Sequence, residues 1–88
     1  MSKAADTTGK IRDILRQHGR MANVNALAAS QDLYAAGLTS FAAVQVMLAL
    51  EETFDVEFPE RMLNRSSFAS IDAIAGCIGE APQHRAAA

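Results

Sequence analysis

The feature that most constrains this chain is a stretch of fifteen residues, 40–54, that contains neither glycine nor proline. Its spacing predicts a helix, but its apolar residues are too many for one face. They form two stripes: a core stripe of Val46, Met47, Leu50 and Phe54, and an outer stripe of Phe41, Val44 and Leu48. A helix that is apolar all round is normally buried all round. We expect the core stripe to pack inside and the outer stripe to remain exposed for a partner. Burial of both stripes within the fold is the alternative.

Weaker patterns surround this helix. Residues 10–17 carry Ile11, Ile14 and Leu15 at helical spacing, and Gly19 is placed to end that helix. A long connection, 20–38, follows, with one turn near residues 25–29. Connections of this length are often functional.

Pro59 breaks the chain after the central helix and opens a short third helix at residues 60–63. Ser70 caps a last helix, which Gly79 ends. We therefore predict an all-α fold, a small four-helix bundle with a short third helix and a long first loop. The predicted domain spans 9–79, between a flexible N-terminus, 1–8, and a flexible C-terminal tail, 80–88.

Composition narrows the function classes. A net charge of −2 and a pI near 5.5 argue against nucleic acid as a partner, because phosphate binders usually show a basic surplus. No apolar run approaches the roughly 20 residues needed to cross a bilayer, and no secretion signal begins the chain. Cys77 is the one cysteine, which precludes an internal disulfide and fits a reducing compartment. These features predict a cytoplasmic protein with no nucleic-acid or membrane partner.

No catalytic or metal-binding constellation is visible. The two histidines, His18 and His84, lie at the end of the first helix and in the tail, away from any nucleophile. We interpret the acids as a solvated face that can attract a basic partner: Glu51, Glu52, Asp55, Glu57 and Glu60. Cys77, Met47 and Met62 are interpreted as core residues. We therefore predict neither a metal site nor an independent enzyme.

The start of the central helix is the candidate site. Thr39 and Ser40 both suit a helix N-terminus, where a side-chain oxygen accepts a hydrogen bond from an unpaired backbone N–H. The same end of a helix favours an anion. Ser40 is therefore either a cap or the place where a negatively charged group is attached, and the residues alone leave both possibilities open.

A family resemblance bears on that choice. The segment DLYAAGLTSF, residues 32–41, and the segment LALEETFDVEFP, residues 48–59, resemble those of an acyl carrier protein. The likeness continues through residues 67–71 into the last helix. In that family the serine that opens the second of four helices receives 4′-phosphopantetheine from a transferase, and the terminal thiol carries cargo as a thioester. The resemblance implies that Ser40 is the attachment serine.

The resemblance also implies partners. They are a phosphopantetheinyl transferase, an adenylating acyl- or amino acid–carrier protein ligase, and downstream acyl-transfer enzymes. The residues expected to contact them surround the serine and the next helix: Thr39, Phe41, Val44, Gln45, Leu48, Arg61 and Arg65.

Departures from the family pattern point to a specialised partner set. Thr39 and Phe41 replace the usual Asp and Leu, and Ala42 and Gln45 replace acids. The pattern resembles specialised bacterial carriers more than carriers of fatty-acid synthesis, and these include carriers charged with an amino acid by ligases that resemble tRNA synthetases. The alternative function is an unmodified helical module that binds a partner through the outer stripe.

Overall fold

The computed structural model describes residues 3–82, with side chains from residue 6 onward, and its frame is three α-helices. They are α1 (Lys3–Gln17), α2 (Ser40–Phe54) and α3 (Ile71–Glu80). Three 3₁₀ turns complete the order: Val24–Ala26 between α1 and α2, then Glu60–Met62 and Arg65–Phe68 between α2 and α3. The described residues contain no strand. The predicted all-α class is confirmed.

The predicted count of four helices is not confirmed, because the part of the chain that the structure describes has three α-helices. The expected third helix at residues 60–63 is the 3₁₀ turn Glu60–Met62, and a second turn, Arg65–Phe68, follows it. Asn64 separates them, because its Oδ1 accepts hydrogen bonds from the Ser67 N–H at 3.0 Å and the Ser66 hydroxyl at 2.8 Å. Such local side-chain bonds compete with helix propagation, and 3₁₀ geometry rarely extends beyond one turn.

The termini also differ from expectation. Helix α1 begins at Lys3 and not at residue 10, so the predicted boundary between segment 1–8 and domain 9–79 falls inside a helix. Threonine and glycine at residues 7–9 have low helix propensity, but propensity is a weak preference and the helix continues through them. In the predicted tail 80–88, Ala81 is buried and the Pro82 carbonyl accepts a hydrogen bond from the Glu57 N–H at 3.0 Å. Residues 83–88, including His84, lie outside the described residues.

The core lies between the three helices. Val46 and Leu50, from the core stripe of α2, are almost fully buried, as predicted, whereas Met47 and Phe54 are half-buried. Val46 and Leu50 join the buried faces of the other two helices, which include Ile11, Leu15, Ile71 and Ile74. Phe58 and Phe68 close one end with an edge-to-face contact, 5.6 Å between ring centroids.

The long loop between α1 and α2 is fixed in place by hydrogen bonds. The Arg12 guanidinium donates to the carbonyls of Val24 at 2.7 Å and Leu27 at 2.9 Å. Further along the loop, the Leu33 N–H donates to the Ala69 carbonyl at 2.7 Å. These bonds tie the loop to α1 and to the residues before α3, so the start of α2 has a defined position.

Candidate functional site

Gly37 turns the chain into α2. Its φ of +123° lies in a region that residues with a Cβ atom rarely adopt, so glycine is required by the backbone. The turn is closed by two hydrogen bonds, from the Gly37 N–H to the Tyr34 carbonyl at 3.2 Å and from the Leu38 N–H to the Leu33 carbonyl at 2.9 Å. The glycine therefore sets the direction in which the following residues enter the helix.

Thr39 caps α2, and Ser40 does not. The Thr39 Oγ1 accepts a hydrogen bond from the Ala42 N–H at 3.0 Å, and Thr39 has the extended backbone of an N-cap residue. Ser40 is the first helical residue and is exposed, and its hydroxyl makes no hydrogen bond within the described part of the chain. The two possibilities left open by the sequence thus fall on two adjacent residues: Thr39 fills the cap position, and the hydroxyl of Ser40 is accessible to modification.

The surroundings of Ser40 suit an anion. The N-terminus of α2 carries partial positive charge from its unpaired N–H groups, and the first turn contains no acidic residue. An anionic phosphodiester on the Ser40 oxygen would lie at this end of the helix. The residues present therefore fit the group that the family resemblance implies.

Ser40 also lies on a groove of about 340 Å³, which we call the Ser40 groove. The groove runs between α2 and the turn Arg65–Phe68, and its other lining residues are Tyr34, Ala43, Val44, Met47, Leu63, Asn64, Arg65 and Phe68. The Arg65 guanidinium carbon lies 3.9 Å from the centroid of the Tyr34 ring. Burial raises the pKa of Tyr34, Arg65 opposes that rise, and Asp32 adds to it.

The outer stripe is exposed, as predicted. Phe41 is 76 % exposed, Val44 is 50 % exposed and Leu48 is 51 % exposed. Val44 borders the Ser40 groove, whereas Phe41 lines a second hollow that also includes Thr39, Gln45, His18 and Arg20. The predicted contact residues on α2 therefore extend from the Ser40 groove to this second hollow.

The two arginines predicted to contact partners, Arg61 and Arg65, lie in different surroundings. Both are exposed, but Arg65 lines the Ser40 groove and Arg61 does not. Sequence reasoning missed Leu63, which is 48 % exposed and lines the same groove. The sequence did offer a signal for Leu63, because it is a large apolar residue at the end of the predicted short helix, next to Asn64.

The acids have mixed roles. Glu51 is half-buried, and its Oε2 accepts a hydrogen bond from the Phe58 N–H at 2.9 Å, so this acid fixes the chain after α2. The neighbouring acids Glu52, Asp55 and Glu57 are exposed. No group of three metal-ligating side chains occurs among the described residues.

The residues interpreted as core differ in burial. Met62 is buried, whereas Met47 and Cys77 are half-buried. The Cys77 Sγ lies 3.8 Å from the Ser67 carbonyl oxygen. No α-helix in residues 3–82 has the length and apolar character to cross a membrane.

A family model and a named relative both match this chain. Residues 9–78 match the family model described as "Phosphopantetheine attachment site". The chain is 58 % identical over 65 residues to a protein of Agrobacterium fabrum named "Aminoacyl carrier protein", which covers 73 % of this chain and 78 % of that protein.

Solved structures are similar over most of the chain. One is a carrier protein from Agrobacterium tumefaciens in a complex with an engineered Bradyrhizobium japonicum glycine:[carrier protein] ligase and AMP. The match to that structure has a TM-score of 0.79 and 52 % identity, and it covers 82 % of this chain and 97 % of the other. A solution structure of a protein from Agrobacterium tumefaciens matches with a TM-score of 0.66 and 52 % identity, over 82 % and 88 % of the two chains.

Proposed function

From the fact that this chain belongs to the family of phosphopantetheine-bearing carrier proteins, we propose that the arm is attached to Ser40 and that the cargo is an aminoacyl group. When bound, 4′-phosphopantetheine supplies a terminal thiol that holds the cargo as a thioester. The chain's own contribution is to present that arm and to bind the enzymes that use it. We propose that the chain is not itself catalytic and acts in the cytoplasm.

The observation that supports attachment at Ser40 is that Thr39, and not Ser40, caps the helix. Thr39 satisfies the helix N-terminus, so modification of Ser40 removes no hydrogen bond from the fold. The Ser40 hydroxyl is exposed, and the nearby helix end favours the phosphodiester that modification would create. A transferase can therefore modify Ser40 without unfolding the helix.

The aminoacyl cargo is supported by the similar proteins. The relative from Agrobacterium fabrum is named an aminoacyl carrier protein, and the carrier from Agrobacterium tumefaciens was crystallised with a glycine:[carrier protein] ligase. We propose that an adenylating amino acid:[carrier protein] ligase loads this chain and that downstream acyl-transfer enzymes receive the cargo. Glycine is the first amino acid to test.

The docking surface for these enzymes is proposed to be the outer stripe with its polar neighbours. Phe41, Val44 and Leu48 place large exposed apolar side chains in the turns of α2 that follow Ser40. Burial of each such side chain in an interface contributes about 1.5–3 kcal/mol, of which the cost of association removes a part. Thr39, Gln45, Arg61 and Arg65 would form the polar surroundings of this interface.

The attachment is tested by co-expressing the chain with a phosphopantetheinyl transferase and measuring intact mass. We expect the mass to increase by one phosphopantetheinyl group in the wild type and not in the Ser40→Ala variant. Ser30→Ala, which changes an exposed serine in the first loop, is the matched control and should be modified normally. Absence of the added mass, or its persistence in Ser40→Ala, would refute the proposal.

The cargo is tested by incubating the primed chain with a glycine:[carrier protein] ligase, ATP and one amino acid at a time. We expect the mass of the primed chain to increase by one aminoacyl residue and the addition to be released by hydroxylamine, which cleaves thioesters. Loading by a fatty acid ligase in its place would reassign the cargo. Partner binding by an unmodifiable Ser40→Ala chain, without any priming of the wild type, would favour the unmodified interaction module.

A further inference from the structure

We infer that Arg65, stacked on Tyr34, binds the phosphodiester of the arm on Ser40 and so holds the first part of the arm in the Ser40 groove. This inference rests on the proposed attachment to Ser40. It concerns what the chain does with its own arm between visits to partner enzymes. It also separates the roles of Arg65 and Arg61.

The first observation is the state of the Arg65 guanidinium. It lies on the Tyr34 ring at 3.9 Å and forms no ion pair or side-chain hydrogen bond with any residue the structure describes. Arg12 differs, because its guanidinium donates hydrogen bonds to two backbone carbonyls of the first loop. Arg65 therefore keeps its N–H donors available while the aromatic ring restricts the plane in which they lie. A planar guanidinium of this kind suits the oxygen atoms of a phosphate group.

The second observation is the composition of the Ser40 groove. Arg65 is the one cationic side chain among its lining residues, and Ser40 lies on the same groove. The Asn64 side chain bonds within its own segment, since its Nδ2 donates to the Arg61 carbonyl at 2.9 Å and its Oδ1 accepts from the Ser67 N–H at 3.0 Å. A phosphate entering from Ser40 thus meets one available cation.

The third observation is the size and floor of the groove. Its volume of about 340 Å³ is at the lower end of the range for small-molecule sites. Ala43, Met47 and Phe68 supply an apolar floor for the uncharged part of a pantetheine chain. Because the arm would be tethered at Ser40, its effective concentration in the groove is high, so weak contacts are sufficient to hold it.

Tyr34 provides a direct readout, since it is the one tyrosine in the chain and tryptophan is absent. Ultraviolet absorbance in the long-wavelength band of ionised tyrosine, where thiolates do not absorb, therefore follows the Tyr34 phenol alone during a pH titration. The charged groups that act on its pKa are Arg65, which lowers it, and Asp32, which raises it. A phosphodiester held by Arg65 would repel the phenolate and offset the effect of the guanidinium, so priming should raise the pKa of Tyr34.

The experiment compares apo and primed forms of the wild type, Arg65→Gln and Arg61→Gln. Arg61→Gln is the matched control, because it removes the same charge from the neighbouring turn outside the groove. We expect priming to raise the pKa of Tyr34 in the wild type and in Arg61→Gln, and to raise it much less in Arg65→Gln. The phosphorus NMR resonance of the primed chain should shift in Arg65→Gln and not in Arg61→Gln.

The outcomes distinguish this inference from the proposed function. Intact mass shows whether Ser40 is primed, and a chain that is not primed refutes both statements. A primed wild type whose Tyr34 pKa and phosphorus resonance do not depend on Arg65 refutes the inference alone. Equal effects of Arg61→Gln and Arg65→Gln would also refute it, because a general change in net charge would then explain the result.

Discussion

The two faces of α2 have nearly the same residue types and opposite environments. On the core stripe, Val46 and Leu50 are 1 % and 0 % exposed, whereas Val44 and Leu48 on the outer stripe are about half exposed. Leu48 and Leu50 are two positions apart in one helix, so helix propensity and hydrophobicity do not distinguish them. The difference arises from what lies opposite: α1 and the rest of the core cover one face, whereas the other face is exposed.

The core stripe of α2 serves the fold, and the outer stripe is available for function. Burial of apolar surface stabilises the folded chain, so an exposed row of apolar side chains contributes little to folding. Exposed apolar patches of this kind commonly mark interaction sites. The outer stripe begins beside Ser40, where a docking enzyme would have to bind in order to reach the arm.

The largest expected effect is on stability, from truncating the two leucines separately. Leu50→Ala should lower the free energy of unfolding by about 2–5 kcal/mol, because it removes a fully buried side chain and leaves a cavity. Leu48→Ala, the matched control, should change it by no more than about 0.5 kcal/mol, as expected for a surface site. Urea unfolding followed by circular dichroism measures both. Equal losses would mean that the outer stripe is buried in solution.

The next effect is on binding. Phe41→Ala should weaken binding to an amino acid:[carrier protein] ligase by about tenfold, or about 1.4 kcal/mol, since buried aromatic anchors carry much of the energy of an interface. Its free energy of unfolding should remain unchanged. Calorimetric titration of the primed chain with the ligase gives the affinity.

The matched control for Phe41→Ala is Thr53→Ala, an exposed position twelve residues further along α2. At the rise of an α-helix this is about 18 Å from Phe41. Thr53→Ala should bind normally. If it weakens binding as strongly as Phe41→Ala does, the docking surface is not centred on the outer stripe.

A smaller effect should separate Thr39 from Ser40. Thr39→Ala should lower the free energy of unfolding by about 1 kcal/mol, because the N-cap hydrogen bond to the Ala42 N–H is lost. Thr39→Ser keeps an accepting oxygen and should recover most of that loss. Ser40→Ala should leave stability within about 0.5 kcal/mol of the wild type. A larger loss in Ser40→Ala than in Thr39→Ala would show that the capping role is misassigned.

Local patterns predicted the parts of this molecule that depend on local physics. The span of α2 and the two environments of its stripes follow from the spacing of apolar residues in a short chain. The cap of α3 is another example, because the Ser70 Oγ accepts from the Ala73 N–H at 3.0 Å, as its position before an apolar run indicated. The candidate attachment site is local too, since a serine at the start of a helix is visible in the sequence.

The features that the sequence did not predict depend on contacts between residues distant in sequence, or on small energy differences between alternative local structures. The third helix was overpredicted because Asn64 and its serines favour separate 3₁₀ turns by small energies. The stack of Arg65 on Tyr34 joins residues far apart in sequence, so no local pattern indicates that one arginine lines the Ser40 groove and the other does not.

The smallest expected effect comes from the charge of Arg61. This exposed side chain forms no ion pair within the described part of the chain, so Arg61→Gln should leave stability within about 0.5 kcal/mol of the wild type. Rim charges act mainly on association rates and are screened by salt. The association rate with the ligase should therefore fall by less than about threefold at low ionic strength, and the difference should vanish at high salt. Stopped-flow mixing measures both rates. A slower association that persists at high salt, or a faster dissociation, would instead place Arg61 inside the interface, together with the apolar side chains of the outer stripe.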